Sequence, residues 1–146
     1  MNLNASYDFN APVEKVWNLL MDAGAVGSCL PGCRGLQPAG DDRYDVELGV
    51  AVAAISGDFR GSVALEDKIP PVSYKLVVES SGRQGFVKGT ALVTLAADGD
   101  RTKVQIAARA DVGGIIARVG QRLLEGVARA TMDRFYACLA SRLDAR

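Results

Sequence analysis

The feature that most constrains the fold is an alternation of apolar and polar residues that recurs between residues 43 and 112. A period of two is typical of a strand that buries one face and exposes the other. Turn-forming residues at 70–71, 81–82 and 98–100 divide the alternation into separate strands. Because these connections are short, consecutive strands are expected to pair antiparallel, as a meander.

The N-terminal segment adds one strand and two short helices to this pattern. Residues 2–9 alternate strictly and predict a first strand. Pro12 and Glu14 then suit the first turn of a helix, and a second helical turn is expected over residues 22–28.

The C-terminal segment predicts a long helix. After Gly113 and Gly114 the apolar period becomes 3.6, and we expect one continuous helix with Gly120 and Gly126 in its interior. The wide apolar surface of this helix needs a large partner surface, and the sheet is the only candidate.

These elements predict an α+β fold, with a curved antiparallel sheet of about six or seven strands around a long C-terminal helix. Two short helices follow the first strand. A length of 146 residues fits one domain, and we expect residues 1–146 to form it.

Charge and segment composition narrow the location and the partners. Acidic and basic residues balance at 17 each, so no large field would attract nucleic acid, and none is expected as a partner. The N-terminus lacks the pattern of a secretory signal, and no stretch approaches the roughly 20 apolar residues that span a bilayer. A cytoplasmic location, with at most peripheral membrane association, is the expectation.

The three cysteines do not suggest a disulfide framework. An odd number without a secretory signal argues against one. Cys29 and Cys33 flank a Pro-Gly turn and are expected to lie close together, as two small buried residues or as a redox or metal pair. With no histidine in the chain, a zinc site would need ligands that this sequence does not cluster, so no metal site is predicted.

The inward faces of the predicted strands carry almost no charged residue. Their polar groups are mainly the hydroxyls of Tyr7, Tyr44 and Tyr74. General acids and bases are usually His, Asp, Glu, Lys, Tyr or Cys, and tyrosine is a weak base at neutral pH. We therefore predict no catalytic residue and no cofactor, although the loop residues Asp22, Arg34 and Arg83 could still reach inward.

The inward faces are also unusually small, because glycine and alanine occupy many positions where a filled core would use Val, Ile or Leu. Two interpretations stay open: the glycines permit strand curvature and close contact, or the interior holds a cavity for an apolar ligand. The residues expected to line such a cavity are Phe59, Gly61, Val63, Tyr74, Leu76, Val87, Gly89, Ala91, Val93, Ile106, Ala108, Ile116, Val119, Leu123 and Val127.

The chain resembles the CoxG family of carbon monoxide dehydrogenase subunits, within the START-like (SRPBCC) superfamily, whose helix-grip fold has this element order. The resemblance extends essentially from end to end, and the CLPGC turn is its most specific element. It rests on FNAPVEKVW at 9–17, CLPGC at 29–33, GDFRG at 57–61, GFVKG at 85–89 and VGGIIA at 112–117.

The resemblance implies a deep apolar cavity between sheet and helix, with a quinone-type lipid as a plausible cargo. It also implies association with a molybdenum-containing CO dehydrogenase or a related hydroxylase, placed at the inner face of the cell membrane. The expected function is a non-catalytic binding protein for an apolar small molecule or lipid. Whether the chain forms a homodimer is left open.

Two other functions are compatible with the sequence. A cyclase or hydratase on the same fold would need a polar group in the cavity, such as Tyr44, Tyr74 or a loop Arg or Asp. A pure interaction module would show an exposed apolar patch, for example around Leu30, Pro31 and Leu36.

Overall fold

The computed structural model describes residues 1–52 and 55–144. The elements run in the order β1 (Asn2–Phe9), α1 (Val13–Leu20), α2 (Ala23–Cys29), β2 (Cys33–Pro38), β3 (Arg43–Val52), β4 (Ile55–Ile69), β5 (Ser73–Gly82), β6 (Gly85–Asp98), β7 (Arg101–Gly113), a 3-10 helix (Ile115–Val119) and α3 (Gln121–Asp144).

The strands form one sheet of seven in the order β1-β7-β6-β5-β4-β3-β2. Every neighbouring pair is antiparallel, as the short connections predicted. The predicted curved sheet, the two short helices after the first strand and the long C-terminal helix are all confirmed.

The alternation in the sequence sorts the two faces of the sheet correctly. On β7, Val104 and Ile106 are buried on the concave face, whereas Lys103 and Gln105 are exposed on the other. The same parity buries Val93 and Leu95 on β6. Side-chain period therefore fixes which residues face the helix.

The C-terminal helix begins later than predicted. Residues 115–119 form a separate 3-10 helix, and Gly120 has φ +97°, a left-handed conformation that interrupts helical geometry. The α-helix starts at Gln121, so the expectation of a continuous helix from Gly114 with Gly120 in its interior is wrong. The apolar period continues through residues 115–119 because Ile116 is buried there in any case.

A disulfide joins α2 to the C-terminal part of α3. Cys29 and Cys138 are 109 residues apart in sequence, and their Cα atoms lie 5.4 Å apart. The Arg142 side chain adds polar links to the same helix, because it donates to Cys29 Sγ and to Ser28 Oγ.

The expectations for the cysteines are corrected by this bond. Cys29 pairs with Cys138 rather than with its sequence neighbour, and Cys33 is a half-buried free thiol. An odd number of cysteines excludes only complete pairing, and the partner of Cys29 is decided by where α3 ends in the fold.

Two glycines show opposite packing. A Cβ on Gly61 would overlap the Glu79 carbonyl oxygen and lie 2.7 Å from Ser80 Cα, so glycine is needed where β4 approaches β5. A Cβ on Gly126, in α3, would meet nothing within 4 Å. The curvature and close-contact interpretation therefore accounts for Gly61, whereas no steric reason keeps glycine at position 126.

Cys138→Ser is expected to lower the free energy of unfolding by about 3 kcal/mol, because the bond closes a very long loop in the unfolded chain. Cys33→Ser is the matched control and should change it little. Urea unfolding without reductant measures both. Labelling of three cysteines, rather than one, when the unreduced protein is alkylated in denaturant would contradict the disulfide.

Gly126→Ala is expected to stabilise the protein by up to about 1 kcal/mol through helix propensity. Gly61→Ala should destabilise it by about 2 kcal/mol or more, because the sheet backbone must move. Thermal and urea unfolding test the pair. Equal effects of the two substitutions would show that close strand approach does not require Gly61.

Candidate ligand-binding site

The concave face of the sheet is divided into rows of register partners that differ in burial. The first row is fully buried, with Tyr74 paired to Val93 and Val93 to Ile106, and we call it the buried row. The next row toward the other end of the strands is only half-buried and is called the middle row; it consists of Leu76, Ala91 and Ala108.

A third row, the open row, is half-buried and lies outside both hydrophobic clusters of the protein. It consists of Val78, Gly89 and Ala110, with Val63 of β4 paired to Val78. On β6 and β7, the middle and open rows are made entirely of alanine and glycine. The floor between the two clusters is therefore shallow in side-chain bulk.

The larger cluster closes one end of this floor. It packs α1 and the end of α3 on the buried row, through Trp17, Tyr136 and Leu139 among others. The smaller cluster lies at the other end, where Phe59 and Ile116 are buried and are joined by half-buried residues of β3, β6, β7 and α3.

Helix α3 reaches both clusters but is tightly packed at one end only. Tyr136 and Leu139 are 6% and 0% exposed, whereas residues 121–135 include no fully buried residue. Because Leu124 and Val127 join the smaller cluster and Met132 joins the larger one, the helix passes over the middle and open rows between them.

The predicted lining residues fall into three groups. Tyr74, Val93 and Ile106 belong to the buried row, and Leu76, Ala91 and Ala108 form the middle row. Five belong to the smaller cluster: Phe59, Val87, Ile116, Val119 and Val127. The remaining four are half-buried and belong to neither cluster: Gly61, Val63, Gly89 and Leu123.

Sequence reasoning omitted residues that the register places in the same region. Val78 and Ala110 complete the open row, and their inward parity was the signal that could have found them. Tyr136 was also missed, although it follows Phe135 and precedes Leu139 by about one helical turn.

Two buried phenols are the polar groups of the closed end. Tyr74 is 4% exposed, and its ring meets Trp17 edge to face with centroids 5.6 Å apart. Tyr136 stacks on Tyr7 with centroids 4.3 Å apart. Burial raises the pKa of both Tyr74 and Tyr136 well above the usual value for a phenol, and repulsion from Tyr74 adds to the effect at Tyr136.

Neither of these two hydroxyls has a hydrogen-bond partner among residues 1–52 and 55–144. Within the same residues, no side-chain oxygen is both sealed from water and unpartnered. Both phenol oxygens must therefore border space that a water molecule can reach. Tyr7 differs, because its hydroxyl donates to Asp133 Oδ1 at 2.7 Å.

The loop residues considered as candidate acids or bases have structural partners or lie at the surface. Asp22 caps α2 by accepting from the Ala25 N–H at 3.2 Å. Arg34 forms an exposed ion pair with Asp58 at 2.7 Å. Arg83 is exposed in the turn between β5 and β6. None of the three packs in either hydrophobic cluster.

Two surface depressions have mixed polar walls. One, of about 380 Å³, lies beside the Arg34–Asp58 pair. The other, of about 350 Å³, is bordered by Arg60, Glu79 and Lys88. Both are rimmed by charged side chains, unlike the middle and open rows.

The region proposed from the sequence as an exposed patch is partly covered. Leu30, Pro31 and Leu36 are half-buried, and the Cβ position of Gly27 in α2 lies 3.5 Å from Leu36 Cβ. The large apolar residues that are exposed lie elsewhere: Ile69, Val72, Phe86, Leu92 and Ile115. None of the helices in the described part of the chain combines the length and apolarity needed to cross a bilayer.

A model of CoxG, a family of carbon monoxide dehydrogenase subunits, matches residues 6–144. The chain belongs to the CoxG family. No curated protein matches this CoxG-family chain significantly.

Solved structures extend the comparison to the fold. A conserved protein from Geobacillus kaustophilus is 32% identical, with 99% of this chain and 96% of that chain covered and a TM-score of 0.96. A START superfamily protein from Mycobacterium smegmatis is 13% identical, covers 99% and 97% of the two chains and has a TM-score of 0.75.

A third similar structure is the Zhui aromatase/cyclase from Streptomyces sp. R1128. It is 14% identical, with 100% of this chain and 94% of that chain covered and a TM-score of 0.72. At this identity the likeness shows the fold alone, which is START-like in all these proteins.

The buried phenols predict a loss of stability at high pH. Below pH 10 Tyr74 and Tyr136 are neutral in both states; above it they ionise in the unfolded chain but stay neutral in the folded one. The free energy of unfolding should therefore fall as pH rises above about 10, by roughly 1 kcal/mol per pH unit for each buried phenol.

Urea unfolding at pH 9.5 and 11 measures this loss. The double variant Tyr74→Phe/Tyr136→Phe should lose less stability between these pH values than the wild type. An equal loss in both proteins would show that the phenols ionise freely in the folded state.

Proposed function

We propose that this CoxG-family chain is a non-catalytic binding protein that encloses an apolar ligand, of quinone type, between α3 and the middle and open rows of the sheet. It acts in association with a molybdenum-containing CO dehydrogenase-like oxidoreductase and recruits that enzyme to the membrane. The observation that carries the ligand is the half-burial of both rows beneath a helix whose residues 121–135 include none that is fully buried.

The energetic argument starts from apolar area left uncovered inside the fold. Protein interiors are packed to high density, and each 100 Å² of apolar surface removed from water contributes about 2.5 kcal/mol. Leu76, Val78 and Val63 on the sheet face Leu123 and its neighbours on the helix without becoming fully buried. An apolar molecule placed between them would gain this contribution from both sides.

The chemistry of the walls favours a neutral ligand. The larger cluster contains no charged residue, and the buried polar side chain of Thr102 already donates to the Ala11 carbonyl oxygen at 2.8 Å. A charged headgroup buried here would lack a partner, which is costly. A quinone ring has no charge and fits this requirement.

The partner is inferred from the family description. CoxG is described as a subunit of carbon monoxide dehydrogenase, which supports assembly of this chain with an enzyme of that kind. Membrane recruitment follows, within this proposal, from the ligand being a membrane lipid.

A cyclase-type enzyme is the second candidate, because the Zhui aromatase/cyclase has the same fold. Such an activity would use Tyr74 or Tyr136 near the substrate. Their raised pKa values make both phenols poor bases at neutral pH, and this argues for binding rather than proton transfer.

Ala110→Leu is expected to fill the open row and weaken binding of an apolar probe by at least tenfold, with little change in unfolding temperature. Ala107→Leu is the matched control, because Ala107 lies on the same strand but is exposed on the opposite face. Fluorescence titration with 1-anilinonaphthalene-8-sulfonate and equilibrium dialysis with 2-methylnaphthalene measure binding.

If the space is already filled by protein, Ala110→Leu will instead overpack the interior and destabilise the fold by about 1–3 kcal/mol, and neither probe will bind the wild type. The enzyme partner is tested separately, by titrating the wild-type chain against a purified molybdenum-containing CO dehydrogenase. Absence of binding would remove that partner from the proposal.

A further inference from the structure

The closed end of the proposed groove contains the two phenol hydroxyls whose oxygens border accessible space. Tyr74 belongs to the buried row, directly beside the middle row, and Leu76 follows it on the same face of β5. Tyr136 belongs to the same hydrophobic cluster and is fixed by stacking on Tyr7 and by an edge contact with Phe9.

We infer that Tyr74 and Tyr136 form a pair of neutral hydrogen-bond donors that hold a carbonyl oxygen of the ligand at the closed end of the groove. This inference rests on the proposed function and narrows its ligand to neutral ketones and quinones. Fatty acids and plain hydrocarbons are disfavoured.

Hydrogen-bond bookkeeping supports this assignment. Buried hydroxyls in proteins are normally satisfied, yet neither phenol has a partner in residues 1–52 and 55–144. A phenol that stays protonated offers one O–H donor, and a carbonyl oxygen has two lone pairs that can accept from two donors at once. A hydrocarbon would leave both donors unmatched.

The surroundings also discriminate against a carboxylate. The residues packed around the two phenols are apolar or aromatic, including Phe9, Trp17 and Leu139. Two charged residues one turn earlier on α3, Asp133 and Arg129, are directed to β1, where they bond Tyr7 and the Asn4 carbonyl oxygen. A buried carboxylate would therefore lack a cation.

The test compares two probes with one carbon skeleton, 2-methyl-1,4-naphthoquinone and 2-methylnaphthalene, by equilibrium dialysis. The wild type should bind the quinone at least tenfold more tightly than the hydrocarbon. Tyr74→Phe/Tyr136→Phe should bind both equally, with its affinity for the hydrocarbon unchanged. Tyr7→Phe is the matched control, since the Tyr7 hydroxyl already has Asp133 as its partner, and it should keep the preference.

Infrared spectroscopy of the bound quinone supplies a readout that a packing change would not produce. The carbonyl stretch should shift to lower frequency in the wild type and return toward its apolar-solvent position in the double variant. Equal affinities for the two probes in the wild type, or a preference that survives in the double variant, would overturn the phenol assignment alone. If neither probe binds the wild type, the proposed function fails as well.

Discussion

The structure depends on how α3 is attached. The helix is anchored at its C-terminal part, where Tyr136 and Leu139 are buried in the larger cluster and Cys138 is bonded to Cys29 of α2. Over residues 121–135 it is held by half-buried side chains only. A helix fixed at one end can pass over the sheet without closing on it, and this leaves the middle and open rows partly uncovered.

This attachment also separates stability from binding within one small fold. The buried row, the aromatic contacts around Tyr136 and the disulfide stabilise the closed end. The middle and open rows contribute small side chains and no charge, so they are suited to an apolar occupant rather than to acid–base chemistry. The phenols lie at the border between the two regions, where a polar atom of the occupant can be recognised.

The strand pattern made most of the fold predictable, because alternation directly reports which face is buried. It correctly gave the inward parity of β4 to β7, and with it the neighbourhood of Val63 and Ala108. Features that depend on tertiary placement were not predictable. The Cys29–Cys138 bond requires knowing where α3 ends, and the break at Gly120 lies within an uninterrupted apolar period.

The glycines show why composition alone was ambiguous about the site. Gly61 is explained by the close approach of β5, whereas Gly89 lies in the open row with its Cβ position 3.0 Å from the Arg109 carbonyl oxygen. Both are thus shaped by neighbouring strands. The uncovered floor is identified by the register and burial of Ala91, Ala108 and Ala110, which a count of small residues cannot supply.

The most direct test of the account is a crystal structure determined under xenon pressure, since xenon enters apolar cavities. The account predicts density for xenon, or for a ligand retained through purification, between residues 121–135 of α3 and the middle and open rows. Interdigitated side chains with no such density between helix and sheet would contradict it.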